Sequence, residues 1–258
     1  MLDIKQIETF YPDFLRPFKK NMLREYLQYK ILEALFNSAL GNRLSFMGGG
    51  AIHILHGNNR FSEDLDFDNL GLLPNDFREI VSQIVKRLSL QGYNIESKVV
   101  IKKAFRAYLK FSEILYENRI TKHKHEKLSI QIDTEPQNYQ YSKDQFILNK
   151  FDVFQRINAV PIDLLLSQKI LCIFTRPRSM GRDFYDILFL LGKTSPDFSC
   201  LGEKLDIEDS VTLKKRLLEK CSQVDFNQLA RDVTPFLYNA EDARKISLFL
   251  DYIKNKEF

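Results

Sequence analysis

The chain predicts a mixed α/β (α+β) fold over residues 1–158, built on a mixed β-sheet, followed by a helical domain over residues 159–258. Three observations predict it. An amphipathic helical run leads into a short apolar strand and a glycine turn; β-rich segments cluster between Tyr93 and Thr134; and from Ile162 onward only helical patterns occur. There are no internal repeats and no low-complexity tracts.

The elements follow in order. After Pro17, apolar residues at Leu23, Leu27, Ile31, Ala34 and Leu35 keep the three-to-four spacing of a helix with one apolar face, and Gly41 and Asn42 stop it. LSFMG (44–48) is a short buried strand, Gly48, Gly49 and Gly50 are a turn, and Ala51 to His56 are a brief helix closed by Gly57. DLDFDN (64–69) alternates carboxylates with Leu65 and Phe67, the period of a strand with one face in a core. Pro74 to Leu90 reads as a helix. YNIESKVVIKKAF, RAYLKFSEILY and EKLSIQIDT then follow at the short separations of antiparallel neighbours. Beyond a linker at Val160 and Pro161, IDLLLSQKILCIFTR is an apolar helix ended by the Arg176-Pro177 step. RDFYDILFLLG is another, ending at Gly192, and the remainder to Phe258 reads as wholly helical.

Composition narrows the class. With 258 residues, 44% hydrophobic and 28% charged, the chain has the apolar material for a substantial core and no disorder signature. Cys172, Cys200 and Cys221 are widely spaced and odd in number, which predicts neither a disulfide framework nor a zinc ribbon and suits a reducing compartment. The N-terminal residues lack a signal-type apolar core, and no run approaches the roughly 18 apolar residues of a membrane span, so a cytoplasmic protein without a membrane partner is expected. The net charge of +4 is mild, but basic residues gather at Lys102, Lys103, Arg106 and Lys110, at Arg119, Lys122, Lys124 and Lys127, and at Arg176, Arg178 and Arg182. One such cluster is ordinarily a solvated surface. Three of them flanking carboxylate-bearing segments fit a polyanionic substrate better.

The chemistry concentrates in GGGAIHILHGNNRFSEDLDFD (48–68). On an alternating strand Asp64, Asp66 and Asp68 share a face with neighbours about 7 Å apart, so Asp64 and Asp66 can converge on divalent cations. Oxygen-only ligands of this kind suit Mg2+ or Mn2+, which complete their shells with water and substrate phosphates. Gly48, Gly49 and Gly50, between strand and helix, let the backbone approach a triphosphate and offer N–H donors to it. Alone, a glycine turn before a helix is ordinarily a turn and DLDFD a solvated edge or cap; their conjunction points to an NTP with its cation.

These residues carry a family resemblance. A glycine pair, an apolar helix and then DxD resemble the DNA polymerase β-like nucleotidyltransferase superfamily. More narrowly, FMGGGAIHILHG followed three residues later by FSEDLDFD is similar to the AbiEii-type nucleotidyltransferase toxins, MenT-type relatives included, whose pattern runs close to GGTAL, a short helix and RFSEDLDF. Arg60, Phe61, Ser62, Glu63, Asp64, Leu65, Asp66 and Phe67 match it residue by residue. Gly50 stands where the family usually has Thr or Ser, which removes a hydroxyl within reach of phosphate. Downstream, Lys169 in LLLSQKILCI and the SMGRDFYDILFLL stretch are similar to later family helices in which a lysine and an RDxxD motif face the nucleotide.

The resemblance implies a polymerase β-like core and places Gly48, Gly49, Gly50, Ser62, Lys169, Arg182 and Asp183 around the nucleotide, with Asp64 and Asp66 as metal ligands. Lys169 would neutralise triphosphate charge, and Arg182 would bond phosphate or orient a carboxylate. Asp183 begins a helix and reads equally as an N-cap. The superfamily's third carboxylate, a general base on the acceptor hydroxyl, falls on Asp133 in QIDT or on Asp186. His53 with His56, and His123 with His125, have no further ligand at zinc spacing. No GxSxG elbow, Cys-His pairing or Walker motif is present.

The expectation is a metal-dependent nucleotidyltransferase that moves NMP from an NTP to an acceptor hydroxyl and releases pyrophosphate. The resemblance implies a toxin of a bacterial toxin-antitoxin pair with a cognate antitoxin, and MenT-type relatives imply the tRNA 3′ end as acceptor. The alternatives are a protein or small-molecule acceptor, or a lapsed nucleotide-binding or partner-binding module.

Overall fold

The computed structural model describes residues 1–256. The final two residues of the expected helical tail, Glu257 and Phe258, lie outside the described residues. In chain order the helices and strands are α1 (Ile4–Glu8), α2 (Lys19–Phe36), β1 (Leu44–Met47), α3 (Gly48–His56), β2 (Leu65–Asn69), α4 (Pro74–Leu90), β3 (Ile95–Ile101), β4 (Phe105–Phe111), α5 (Ile114–Glu117), β5 (Leu128–Glu135), β6 (Asp144–Lys150) and β7 (Val153–Ala159). Then come α6 (Ile162–Thr175), α7 (Gly181–Leu191), α8 (Phe198–Leu205), α9 (Ser210–Cys221), α10 (Phe226–Val233), α11 (Arg244–Ser247) and α12 (Phe249–Asn255). The chain forms two compact units, residues 1–51 with 61–159 and residues 52–60 with 160–258. The segment 52–60 therefore belongs to the helical unit, although it interrupts the α/β stretch in sequence.

The first unit is a seven-stranded mixed sheet in the order β3-β4-β5-β2-β1-β7-β6. β3, β4 and β5 are antiparallel neighbours as their spacing predicts, β2 runs parallel to β5 and β1 antiparallel to β2. Alternation sends Leu65 and Phe67 of β2, Ala107, Leu109 and Phe111 of β4, and Ile130 and Ile132 of β5 into the core. Helices α2 and α4 pack on the sheet and on each other. Helix α4 starts cleanly: Pro74 opens it and Asp76 reaches back to the Leu73 N–H at 3.1 Å.

Three features depart from the sequence reading. Helix α2 is buried around most of its circumference rather than along one stripe. Its interior polar groups find partners: Glu25 accepts from Lys150 at 2.7 Å, and Lys30 meets Glu33 at 2.9 Å. The three glycines are the first turn of α3 and not a separate turn before it. The β6-β7 hairpin has no sequence forecast because its turn is Phe151-Asp152, with Phe151 at φ +60° in place of glycine or asparagine. Phe151 is held there by edge contacts with Tyr26 and Tyr29, at ring separations of 5.3 and 5.2 Å.

The second unit is helical. α6 and α7 pack together, and α7 meets α10 so closely that a Cβ on Gly181 would run into the Leu229 carbonyl. Phe184 lies edge-on to Phe226 and Phe249 in its core. The segment 52–60 joins this unit by a bridge between Arg60 and Leu237 and by the Tyr238 N–H donating to Asn59 O at 3.1 Å. The three cysteines are unpaired, and burial pushes the Cys200 and Cys221 thiols up to about 11.

Candidate active site

In the first unit the site begins at the β1-α3 junction. Gly48 has φ +71°, and a Cβ there would strike the Asp66 Oδ2. Glycine is required twice, for the backbone conformation and for the approach of the carboxylate. A Cβ on Gly50 would meet the Asp64 carbonyl and the Phe46 ring, each at 3.1 Å. The place where the family usually carries Thr or Ser is thus tightly filled in this chain. Gly49 lies between them in the same first helical turn.

Asp66 is half-buried on β2, and Asp64 immediately precedes the strand, also half-buried. Asp66 pairs with Met47 on β1 and with Asp133 on β5, which puts the Asp66 and Asp133 side chains on one face of adjacent strands. Asp68 shares their parity but has a different part. It is buried, accepting from the Gln137 N–H at 2.9 Å and the Tyr141 hydroxyl at 2.8 Å, and burial pushes its carboxyl above the usual range against those two bonds. The FSED backbone is held by Gln28, a buried α2 side chain that donates to Ser62 O at 3.0 Å, and Glu63 meets Arg24 at 3.4 Å. Ser62 itself is half-buried.

Asp133 is committed to neighbours. Its Oδ1 accepts from Arg106 Nε at 2.5 Å and its Oδ2 from Gln131 Nε2 at 2.6 Å. The hydrogen bond and charge of Asp133 hold the Arg106 guanidinium firmly protonated. These two bonds fix the Asp133 carboxylate, the expected general base, between Arg106 and Gln131.

The second unit holds Lys169, Arg182, Asp183 and Asp186. Lys169 Nζ lies 3.0 Å from Asp183 Oδ1 and 3.0 Å from Asp186 Oδ2. Asp186 also accepts from Arg60 Nε at 2.7 Å, Arg60 Nη2 at 2.6 Å and Asn58 Nδ2 at 2.8 Å. Burial works to raise the Asp186 carboxyl, but Arg60 and Lys169 outweigh it and hold it below the usual range. Burial works to lower Lys169, and Asp186 and Asp183 overcome it and hold the ammonium charged. Lys169 and Arg60 balance the charges of Asp183 and Asp186 in a buried frame, with Arg176 at 3.2 Å from Asp183 on the rim. Asp186, expected as a catalytic carboxylate, is fully buried in this frame. Lys169 and Asp183 are likewise buried and bonded to each other. Arg182 is half-buried with its guanidinium 4.7 Å from the centre of the Phe236 ring.

The donor set suits a hard cation. Asp64 and Asp66 supply two carboxylates beside a glycine backbone that Asp66 Oδ2 already touches, and Mg2+ is commonly held by one or two carboxylates together with substrate phosphates. Among the described residues no three such side chains converge into a complete cage. Sequence reasoning missed Asn58 and Gln28 as site-building residues. Arg60 carried a signal as the first residue of the matched RFSEDLDF pattern, and Arg106 as part of a basic cluster.

A glycine-started helix feeding back to a DxD strand in a mixed sheet defines the class of a nucleotidyltransferase. The particular family follows from comparison with known proteins: the model of the AbiEii nucleotidyl transferase toxins, of type IV toxin-antitoxin systems, matches residues 30–245, and the chain belongs to that family. Its fold is similar to that of JHP933 from Helicobacter pylori, with TM-score 0.55 and 17% identity over 91% of this chain and 91% of that one. It is also similar to a candidate nucleotidyltransferase from H. pylori, with TM-score 0.53 and 15% identity over 93% of this chain and 99% of that one. No curated protein matches the sequence. The protein is a nucleotidyltransferase of toxin-antitoxin type, with an NTP as substrate and an antitoxin as counterpart. No helix among the described residues is long and apolar enough to cross a membrane.

Proposed function

We propose that the protein transfers NMP from an NTP to a hydroxyl at the 3′ end of an RNA, tRNA being the class of acceptor, in a divalent-cation-dependent reaction. The observation that carries this reading is the contact of Gly48 with Asp66, which puts a helix N-terminus and a DxD carboxylate at one point. Asp64 and Asp66 would hold Mg2+ or Mn2+. When bound, such an ion offsets charge on the triphosphate and on the attacking oxygen.

The chain's own residues set the geometry. The N–H groups at the start of α3 would meet phosphate oxygens, and Gly48, with no Cβ, leaves room for the Asp66 carboxylate beside them. Gln28 fixes the Ser62 backbone and so the entry of the chain into β2. The acceptor hydroxyl oxygen forms a bond to the α-phosphorus, the bond to the bridging oxygen of pyrophosphate breaks, and the hydroxyl proton passes to solvent. In the second unit, Lys169, Asp183, Asp186 and Arg60 are proposed to hold α6 and α7 in register with segment 52–60.

The test is incubation with each α-labelled NTP, Mg2+ and total RNA or total protein, followed by denaturing gels. A labelled tRNA-sized band that disappears in Asp64→Asn and Asp66→Asn, both with near-parental melting temperatures, supports the reading. Label confined to protein bands would move the acceptor to a side chain. Undiminished RNA labelling in both variants would remove the carboxylates from the reaction.

A further inference from the structure

The sheet continues past Asp133 toward its β3 edge, and the register defines what that face presents. Arg106, Tyr108 and Lys110 alternate on β4 with the core residues Ala107, Leu109 and Phe111. Their partners on β5 are Asp133, Gln131 and Ser129, and on β3 Val100, Lys98 and Glu96. One face therefore carries Lys98, Arg106, Lys110 and Tyr108 in a contiguous block, beginning one strand beyond Asp133 and two beyond Asp66. Two strand spacings are about 10 Å, and each step of two residues along a strand adds about 7 Å. Successive unpaired nucleotides leaving a reaction point at Asp66 fall on this scale.

The side chains have the chemistry for such a segment. Lys98 and Lys110 are exposed, and Arg106 and Tyr108 are half-exposed. Arg106 meets Asp133 through Nε and is held in position by it. The acidic groups on this face are compensated: Asp133 by Arg106 and Glu96 by Lys127, at 2.5 and 2.8 Å. Lys98 makes no ion pair among the described residues, and neither does Lys102 at the β3-β4 turn. A sheet face with an aromatic ring among cations, Lys98 unpaired among them, can stack bases and track phosphates without reading sequence.

We infer that this face, Lys98, Arg106, Tyr108 and Lys110, receives the single-stranded 3′ segment of the RNA acceptor, with Tyr108 stacking on a base, the cations meeting phosphates and Asp133 acting as the positioning residue for Arg106. The inference rests on the proposed RNA acceptor and adds the surface that binds it. Charge complementarity selects a polyanion over an acid-poor protein surface.

The experiment measures equilibrium binding of a fluorescein-labelled RNA hairpin with four unpaired 3′ nucleotides, by anisotropy without NTP, at several salt concentrations, alongside RNA labelling by the full chain. Tyr108→Ala is expected to weaken binding roughly tenfold and Tyr108→Phe to restore it. Lys98→Ala and Lys110→Ala should each lower the slope of log affinity against log salt by about 0.7. Melting temperatures report folding. If the parent labels RNA and all these variants bind RNA as the parent does, this inference falls and the acceptor reading stands. If the parent neither binds nor labels RNA, both fall.

Discussion

Arg60 and Asp186 form a two-pronged buried ion pair, Nε to Oδ1 at 2.7 Å and Nη2 to Oδ2 at 2.6 Å, at 2% and 0% side-chain exposure. The arginine comes from the RFSEDLDF stretch and the aspartate from the RDxxD stretch, so two sequence signatures far apart in the chain are halves of one salt bridge. The planar guanidinium fits a carboxylate edge-on, which a lysine cannot reproduce.

Arg60→Met should destabilise the helical unit by about 3–5 kcal/mol, because it leaves Asp186 charged and buried with only Lys169 and Asn58. Asp186→Leu should cost a comparable amount for the converse reason. Denaturant unfolding of both single variants and the pair closes a double-mutant cycle, and the double variant is expected to be less destabilised than the sum.

Gly48→Ala should impair both folding and transfer. It puts an L side chain at φ +71° and a methyl group onto the Asp66 carboxylate, a combination expected to cost more than about 1 kcal/mol. Labelled-NTP turnover and the melting temperature should fall together. Gly50→Ser restores the hydroxyl usual in the family, but it must push aside the Asp64 carbonyl or the Phe46 ring, each at 3.1 Å. Overpacking there should cost about 1–3 kcal/mol.

Arg106→Gln removes the cation that Asp133 accepts from, leaving Asp133 opposite Asp66 across β5 and β2. Added negative charge next to the proposed cation ligands should tighten Mn2+ binding several-fold, as read by electron paramagnetic resonance of the free ion. An unchanged affinity would separate Asp133 from that site. RNA affinity should move the other way.

His56 supplies a pH test. Burial, helped by the nearby Lys193 charge, lowers its pKa to about 4. Between about 6.5 and 4 the unfolded chain binds a proton here that the folded chain does not, so stability rises with pH through this window and is lost as pH falls through it. The melting temperature should drop on acidification from pH 7 to 5, and less steeply in His56→Gln.

Much of the fold was legible where periodicity was clean. Helices α4, α6 and α7 and the three-stranded run β3-β4-β5 follow from spacing and breakers alone. The β6-β7 hairpin was not, because Phe151 takes a backbone conformation that its residue type does not advertise and tertiary aromatic contacts enforce. At the site, Asp64, Asp66 and the glycines were legible as types in a pattern. The partnership of Arg106 with Asp133 was not, since it depends on β4-β5 register. The same holds for Asp186: its sequence context matches a nucleotide-facing motif, and only its burial beside Arg60 and Lys169 shows what its charge is spent on.

Helix α3 begins in one unit and ends in the other, and the chain returns to the first unit only after Arg60. A division of the gene near residue 160 would therefore not yield two self-sufficient halves. The C-terminal fragment would lack Arg60 and Asn58, and Asp186 would be stranded. Any exchange of the helical half between relatives has to carry residues 52–60 along with it, so the glycine helix and the RDxxD helix are expected to change as one module.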